Sequence, residues 1–236
     1  MLFRSVSQSR SGGVEARHTG QYDNTTMIDI NSHFPACLTE INIPNLSTQQ
    51  RIAWPLKKRS LAEHIQTISI SHALVEVSDH PYGVLPIRYT NNDVAYPNTK
   101  GQLICGVWTH IELLEAIKRG YIIHNIAWSH TWEQTQNTFI PYINQVYNIK
   151  RMGSPIEQHF SKMILNSSIG KFAQQREAKE YTWISVEEHN DYTSKGWSPI
   201  EAYHDQTLME RVTGMHYPKF YAPILNALVT AQSRIM

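Results

Sequence analysis

Asp29 stands in the run Thr26-Met-Ile-Asp-Ile30, a short strand in which one carboxylate interrupts apolar neighbours. Such a carboxylate is desolvated unless a cation or a donor compensates it. It therefore either bonds a turn amide at a strand end or holds a cation. The stretch Asp29-Ile-Asn-Ser-His-Phe-Pro35 places small polar groups and one aromatic within a turn of it. That setting suits Mg²⁺, which uses one or two carboxylates together with substrate phosphates. A second group lies in 154–173, where Lys162, Asn166 and Gly170 recur at i, i+4, i+8 and share one helical stripe. A glycine inside a helix costs about 1 kcal/mol against alanine. Gly170 then marks either close helix packing or the approach of a flat ligand such as a base pair, with Lys162 on a phosphate. Lys171 adds charge near the helix end, where it also complements the dipole.

Other chemistry is poorly supported. The 12 histidines are scattered, and His124, His130 and His159 show no ligand spacing, so a zinc site is not expected. Two cysteines, Cys37 and Cys105, exclude a disulfide scaffold and a Cys-cluster metal site. Trp108, Trp128, Trp132, Trp183 and Trp197 could stack on single-stranded bases or anchor a core.

The elements that must position these residues follow from punctuation. Pro35 ends the Asp29 strand, and Ala36-Cys-Leu runs on towards a turn. Strands are expected over 73–77, 82–89 and 102–108, with Pro81 and Pro86 confining some of them to edges. Thr109-His-Ile-Glu112 is a capping box, and Gly120 sits where a helix-ending glycine belongs. A second helix starts near Thr138 and buries Phe139, Ile143, Val146 and Tyr147. Ser154-Pro155-Ile-Glu157 opens a third, running to about Ala173, with an N-cap, an N1 proline and a capping-box Glu. The polar stretch 174–216 reads as an inserted hairpin or loop, and 221–236 as helix again. This order gives an α+β class.

Composition sets the outer limits. The 236 residues carry a net charge of +1 with 17% charged and 41% hydrophobic residues, which excludes a disordered chain and permits a real core. The longest apolar stretch, 222–231, contains Pro223 and Asn226 and is too short to span a bilayer. No apolar signal region opens the chain. An intracellular enzyme or binding module, neither secreted nor membrane-bound, is the expectation. The chain stops at Arg234-Ile-Met236 inside an apolar helical pattern, without a cap.

Two segments carry a resemblance. Asp29-Ile-Asn-Ser-His-Phe-Pro35 resembles the D-x-x-S-L-Y-P motif of family B DNA polymerases, and Lys162-Met-Ile-Leu-Asn-Ser-Ser-Ile-Gly-Lys171 resembles their K-x-x-x-N-S-x-Y-G motif. The long α+β insert between them is similar to the protein-primed branch of podophages, adenovirus-like viruses and linear plasmids, where a terminal-protein region interrupts the palm. Arg10-Ser-Gly-Gly13 looks like Y-x-G-G, and Thr230-Ala-Gln-Ser-Arg234 looks like T-A-x-x-R. The four elements stand in the family's order.

The resemblance implies a partial polymerase palm with a fingers helix and an inserted terminal-protein-type subdomain. Its parts would be 1–38 (palm start), 39–137 (insert), 138–173 (fingers helices), 174–216 (second insertion) and 217–236 (truncated palm helix). It implies template-directed DNA synthesis with two Mg²⁺ ions, one activating the primer hydroxyl and one neutralising the triphosphate. Asp29 would be the catalytic metal ligand, with the Ile30 carbonyl beside it. His33 and Phe34 would border the nucleotide, Phe34 walling off a 2′-hydroxyl. Lys162 and Lys150 would hold the triphosphate as point charges. Asn166, Ser167 and Gly170 would border the nascent pair, and Ile169 would stand at the nucleotide where the family has a Tyr on the sugar. Gly12, Gly13, Ser32, Ser167, Gly170, Lys171, Thr230 and Arg234 would touch DNA. Implied partners are template and primer DNA, deoxynucleoside triphosphates and a terminal-protein primer, in a virus- or plasmid-bearing cell.

The departures have consequences. Phe34 lacks the phenolic hydroxyl usual at its place, Ile169 replaces a Tyr, Arg10 an aromatic and His33 an apolar residue. No Y-x-D-T-D follows, and no exonuclease domain precedes. With one of two metal-holding aspartates, this chain alone is expected to be an inactive fragment of a longer enzyme. The alternatives are a non-catalytic DNA- or protein-binding remnant of a palm, and a metal-dependent nuclease using Asp29 with Glu15 and Asp23.

Overall fold

The computed structural model describes residues 32–53, 61–89, 93–219 and 221–235. Asp29, Ile30, Gly12, Gly13 and the strand expected at 26–30 lie outside these. The chain divides into two compact units, one of residues 1–172 with 222–236 and one of 173–221.

Among the described residues the first unit begins with helix α1 (His33–Glu40), where the sequence suggested a strand end and a turn. Pro35 does not end an element here. It sits in the first turn, whose amides have no partner within a helix, so its missing N–H costs nothing. Pro35, Cys37 and Leu38 are buried. Burial pushes the Cys37 thiol up to about 11, so it is an inert core residue.

Short β1 (Ile43–Pro44) leads to β2 (Gln50–Ala53), helix α2 (Leu61–Gln66) and the long β3 (Ser69–Glu76). The expected strand over 82–89 shrinks to β4 (Ile87–Arg88), paired with β5 (Val94–Ala95). Pro86 is used differently: its carbonyl accepts the Trp108 indole N–H at 2.8 Å. Next come β6 (Leu103–Thr109), helix α3 (His110–Lys118), β7 (Ile122–Thr131) and β8 (Gln134–Thr135), which pairs with β1. Four of these strands form an antiparallel sheet in the order β2–β7–β3–β6.

Local chemistry explains α3. The Glu112 carboxylate accepts from the Thr109 amide and hydroxyl, both at 2.8 Å, and Gly120 stops the helix at φ +81°. Ala73, Val75, Trp108 and Ile126 of the sheet pack with Leu113 and Ala116 of α3 and Ile65 of α2 in one core. His110 is buried, its Nδ1 accepts the Ser69 amide at 3.3 Å, and burial pushes it down to about 4.

A second core gathers Ile70 and Val107 from the sheet, and Trp132 just past β7, with α1, α4 (Phe139–Met152), α5 (Pro155–Lys171) and α7 (Pro223–Ile235). The start of α5 is fixed as its sequence suggests: Glu157 accepts from the Ser154 amide and hydroxyl, both at 2.7 Å. Only Ser161, Leu165 and Ile169 of this 17-residue helix are buried. Helix α7 is the opposite case, with Ile224 through Val229 buried on all sides. Its Asn226 amide donates to the Ile169 carbonyl at 3.2 Å, a second donor to an oxygen that also accepts the Phe172 amide at 3.3 Å.

The second unit contains an antiparallel sheet of β9 (Arg176–Ser185), β10 (Ser198–Tyr203) and β11 (Gln206–His216) in the order β10–β11–β9, with helix α6 (His189–Ser194). Lys179 pairs with Glu210 at 3.0 Å and Arg211 with Glu180 at 2.8 Å across the β9–β11 ribbon. The Arg211 guanidinium also lies 4.9 Å from the centre of the Trp197 ring. No helix among the described residues is long and apolar enough to cross a membrane.

Candidate active site

Ser32 is the turn into α1, and its backbone is left-handed, with φ 55° and ψ 39°. For a residue with a Cβ that conformation costs about 1–2 kcal/mol, so surrounding contacts must hold it. One is direct: the Lys150 ammonium, near the end of α4, donates to the Ser32 hydroxyl at 2.7 Å. The same ammonium lies 5.7 Å from the centre of the Tyr147 ring. Lys150 is therefore tied to the Asp29–Pro35 segment.

The residues after Ser32 point different ways. The His33 imidazole donates to the Ser233 carbonyl of α7 at 2.9 Å. Phe34 is 43% exposed, its ring centre 6.0 Å from that of His33. The aromatic proposed as a sugar wall is thus open to solvent and accessible to a ligand.

On α5 the expected stripe is present. Lys162, Asn166 and Gly170 are all exposed, in the row next to the buried Ser161, Leu165 and Ile169. A methyl group added at Gly170 would meet nothing within 4 Å. Packing against the described residues therefore does not require the glycine. Ser167 and Lys171 are also exposed, and the Ser167 hydroxyl is turned back onto the Ile164 carbonyl at 3.3 Å.

Three residues expected to make contacts are engaged within the protein. Ile169, expected at the nucleotide, is 4% exposed and lies in the core with Leu165 and Phe172. An aliphatic side chain one turn beyond Leu165 follows the buried stripe, not the exposed one. Arg234 is neither solvated nor on an open face: its guanidinium bonds the Glu112 carboxylate, with side chains 8% and 1% exposed. Thr230 spends its hydroxyl within α7, on the Asn226 and Ala227 carbonyls at 2.8 and 3.0 Å.

Glu112 is the residue that sequence reasoning under-read. Its spacing announced a helix cap, and one carboxylate oxygen does cap α3, but the other holds Arg234. No local pattern could reveal a partner 122 positions away.

No group of three or more His, Cys, Asp or Glu suited to a metal ion occurs among the described residues. The donors assigned to Mg²⁺, Asp29 and the Ile30 carbonyl, are outside them, so the described part of the site offers cations and hydrogen-bonding groups for an anionic ligand, not metal ligands.

Comparison with solved structures supports the fold. Phi29 DNA polymerase complexed with primer-template DNA and incoming nucleotide substrates is similar over 99% of this chain and 39% of its own, with a TM-score of 0.63 and 19% identity. The same polymerase in a post-translocation binary complex with primer-template DNA gives a TM-score of 0.59 at 18% identity, over 99% of this chain and 38% of its own. This chain thus spans well under half the length of that polymerase. No curated protein matches it. The family model for DNA polymerase type B, organellar and viral, matches residues 1–218, and the chain belongs to that family.

Proposed function

We propose that these residues serve template-directed DNA synthesis, by deoxynucleotidyl transfer onto a primer supplied first by a terminal protein and then by DNA. The observation that carries this reading is the family match over 1–218, which spans the exposed Lys162–Asn166–Gly170 stripe. In this reading Lys162 holds the triphosphate from α5 and Lys150 from α4. Asn166 borders the nascent pair, and the open side of Gly170 admits its flat face. Phe34 excludes a 2′-hydroxyl, and Ser32, Ser167 and Lys171 contact DNA. Asp29 and the Ile30 carbonyl would hold Mg²⁺, which supplies charge neutralisation on phosphate when bound. The site is virus- or organelle-borne and intracellular.

The chain contains no Y-x-D-T-D segment, so by itself it is proposed to be inactive. The second reading is a non-catalytic DNA- or protein-binding remnant of a polymerase palm. The test is nucleotide incorporation by the full-length polypeptide on primed DNA and on a terminal protein. Asp29→Ala and Lys162→Ala should each abolish it. Incorporation that survives both substitutions overturns the polymerase reading. DNA binding without any incorporation would select the second one.

A further inference from the structure

The last four carbonyls of an α-helix have no partner within it. In α7 one of these, the Ser233 carbonyl, is met by the His33 ring at 2.9 Å. A carbonyl only accepts, so Nε2 carries a proton and donates it. Nδ1 is buried and has no hydrogen-bond partner among the described residues. Among the described residues the ring's hydrogen bonding thus goes to an external cap on the end of α7. The turn it grips is itself tied down, because the next residue, Arg234, is paired with Glu112 of α3.

An apolar residue at position 33, which the resembled motif carries, would fill this space without making the bond. His33 also precedes Phe34, the exposed aromatic whose backbone begins α1. We propose that His33 is a positioning residue: by pinning the first turn of α1 to the last turn of α7, it fixes where Phe34 stands against the sugar of an incoming nucleotide. This rests on the polymerase reading above. His33 touches no substrate in it and acts through Phe34.

The test uses the full-length polypeptide with His33→Leu and His33→Gln. KM and kcat are measured for a deoxynucleotide and its ribonucleotide, and amide hydrogen exchange is followed in α1 and the last turn of α7. Losing one hydrogen bond should lower the deoxy-over-ribo preference about three- to tenfold in His33→Leu. The loss should fall on deoxynucleotide KM, with kcat little changed. Glutamine, whose amide N–H can donate to the same carbonyl, should restore the preference. Exchange should quicken at both helix ends in the leucine variant alone. An active His33→Leu enzyme with unchanged preference overturns the proposal. If even the unsubstituted protein incorporates nothing, the polymerase reading fails, and the proposed control of Phe34 at a nucleotide falls with it. Unchanged exchange in His33→Leu would then show that the pin between the helices is absent as well.

Discussion

Glu112 and Arg234 form an ion pair between α3 and the end of α7, with both side chains almost wholly buried. The carboxylate is fully used, since one oxygen caps α3 and the other meets the guanidinium. Removing one member strands a charge in the core. Glu112→Ala should destabilise the chain by about 3–5 kcal/mol, read as a shift in urea midpoint. Replacing both partners with apolar residues, Glu112→Leu with Arg234→Met, should recover most of that loss. A double variant as unstable as Glu112→Ala would contradict this account.

Gly170 offers a test in which stability and function should move apart. With open space where a Cβ would stand, Gly170→Ala should stabilise α5 by about 0.5–1 kcal/mol. A ligand that approaches the bare backbone would meet the new methyl. Nucleotide incorporation or DNA affinity in the full-length protein should therefore fall while the melting temperature rises. Equal activity with higher stability would remove the ligand-approach reading.

The left-handed Ser32 can be dissected by comparing two substitutions. Both Ser32→Ala and Ser32→Gly lose the hydroxyl that Lys150 reaches, but only glycine escapes the backbone penalty. Ser32→Gly should be more stable than Ser32→Ala by about 1 kcal/mol. Indistinguishable unfolding curves would mean that the turn relaxes.

Acid should weaken the sheet–α3 core through His110. Its folded pKa is pushed down to about 4 by burial, from an ordinary 6.5. Between these values the unfolded chain binds the proton and the folded chain does not, so stability falls as pH drops from about 6.5 to about 4 and changes no further below. The whole difference amounts to about 3 kcal/mol. A His110→Gln variant should show a flatter stability–pH profile across that window. An unchanged slope would assign the acid sensitivity to other groups.

Much of this arrangement was legible where the signal is local. Thr109 with Glu112, Gly120, and Ser154-Pro155 with Glu157 are short-range contacts between neighbouring side chains and amides, and their spacing placed two helix starts and one helix end. The exposed Lys162–Asn166–Gly170 stripe followed from helix geometry alone. Strand β7 was not anticipated, because bulges opposite His72/Ala73 and Leu74/Val75 break its alternation, leaving Ile123 and Ile126 buried around an exposed His124-Asn125 pair. Helix α1 was hidden by Pro35, which reads as a stop but also fits a first turn. The bonds that assemble the site join Ser32 to Lys150, His33 to Ser233 and Glu112 to Arg234, over separations of 118, 200 and 122 residues. Such pairings depend on the packed fold and leave no trace in spacing.

The sparse anchorage of α5 has a mechanical consequence. Its Ile169 carbonyl is held by Asn226, while most of its length towards Lys162 faces solvent. Ile169 and Lys162 are about 10 Å apart along the axis, at 1.5 Å per residue. A tilt of roughly 10° about that fastening would carry the lysine's backbone nearly 2 Å, by the same rise. Leu165 and Ser161, the latter next to Lys162, are buried on the same helix and oppose that rotation, so the seating of these two side chains sets how far the lysine can swing.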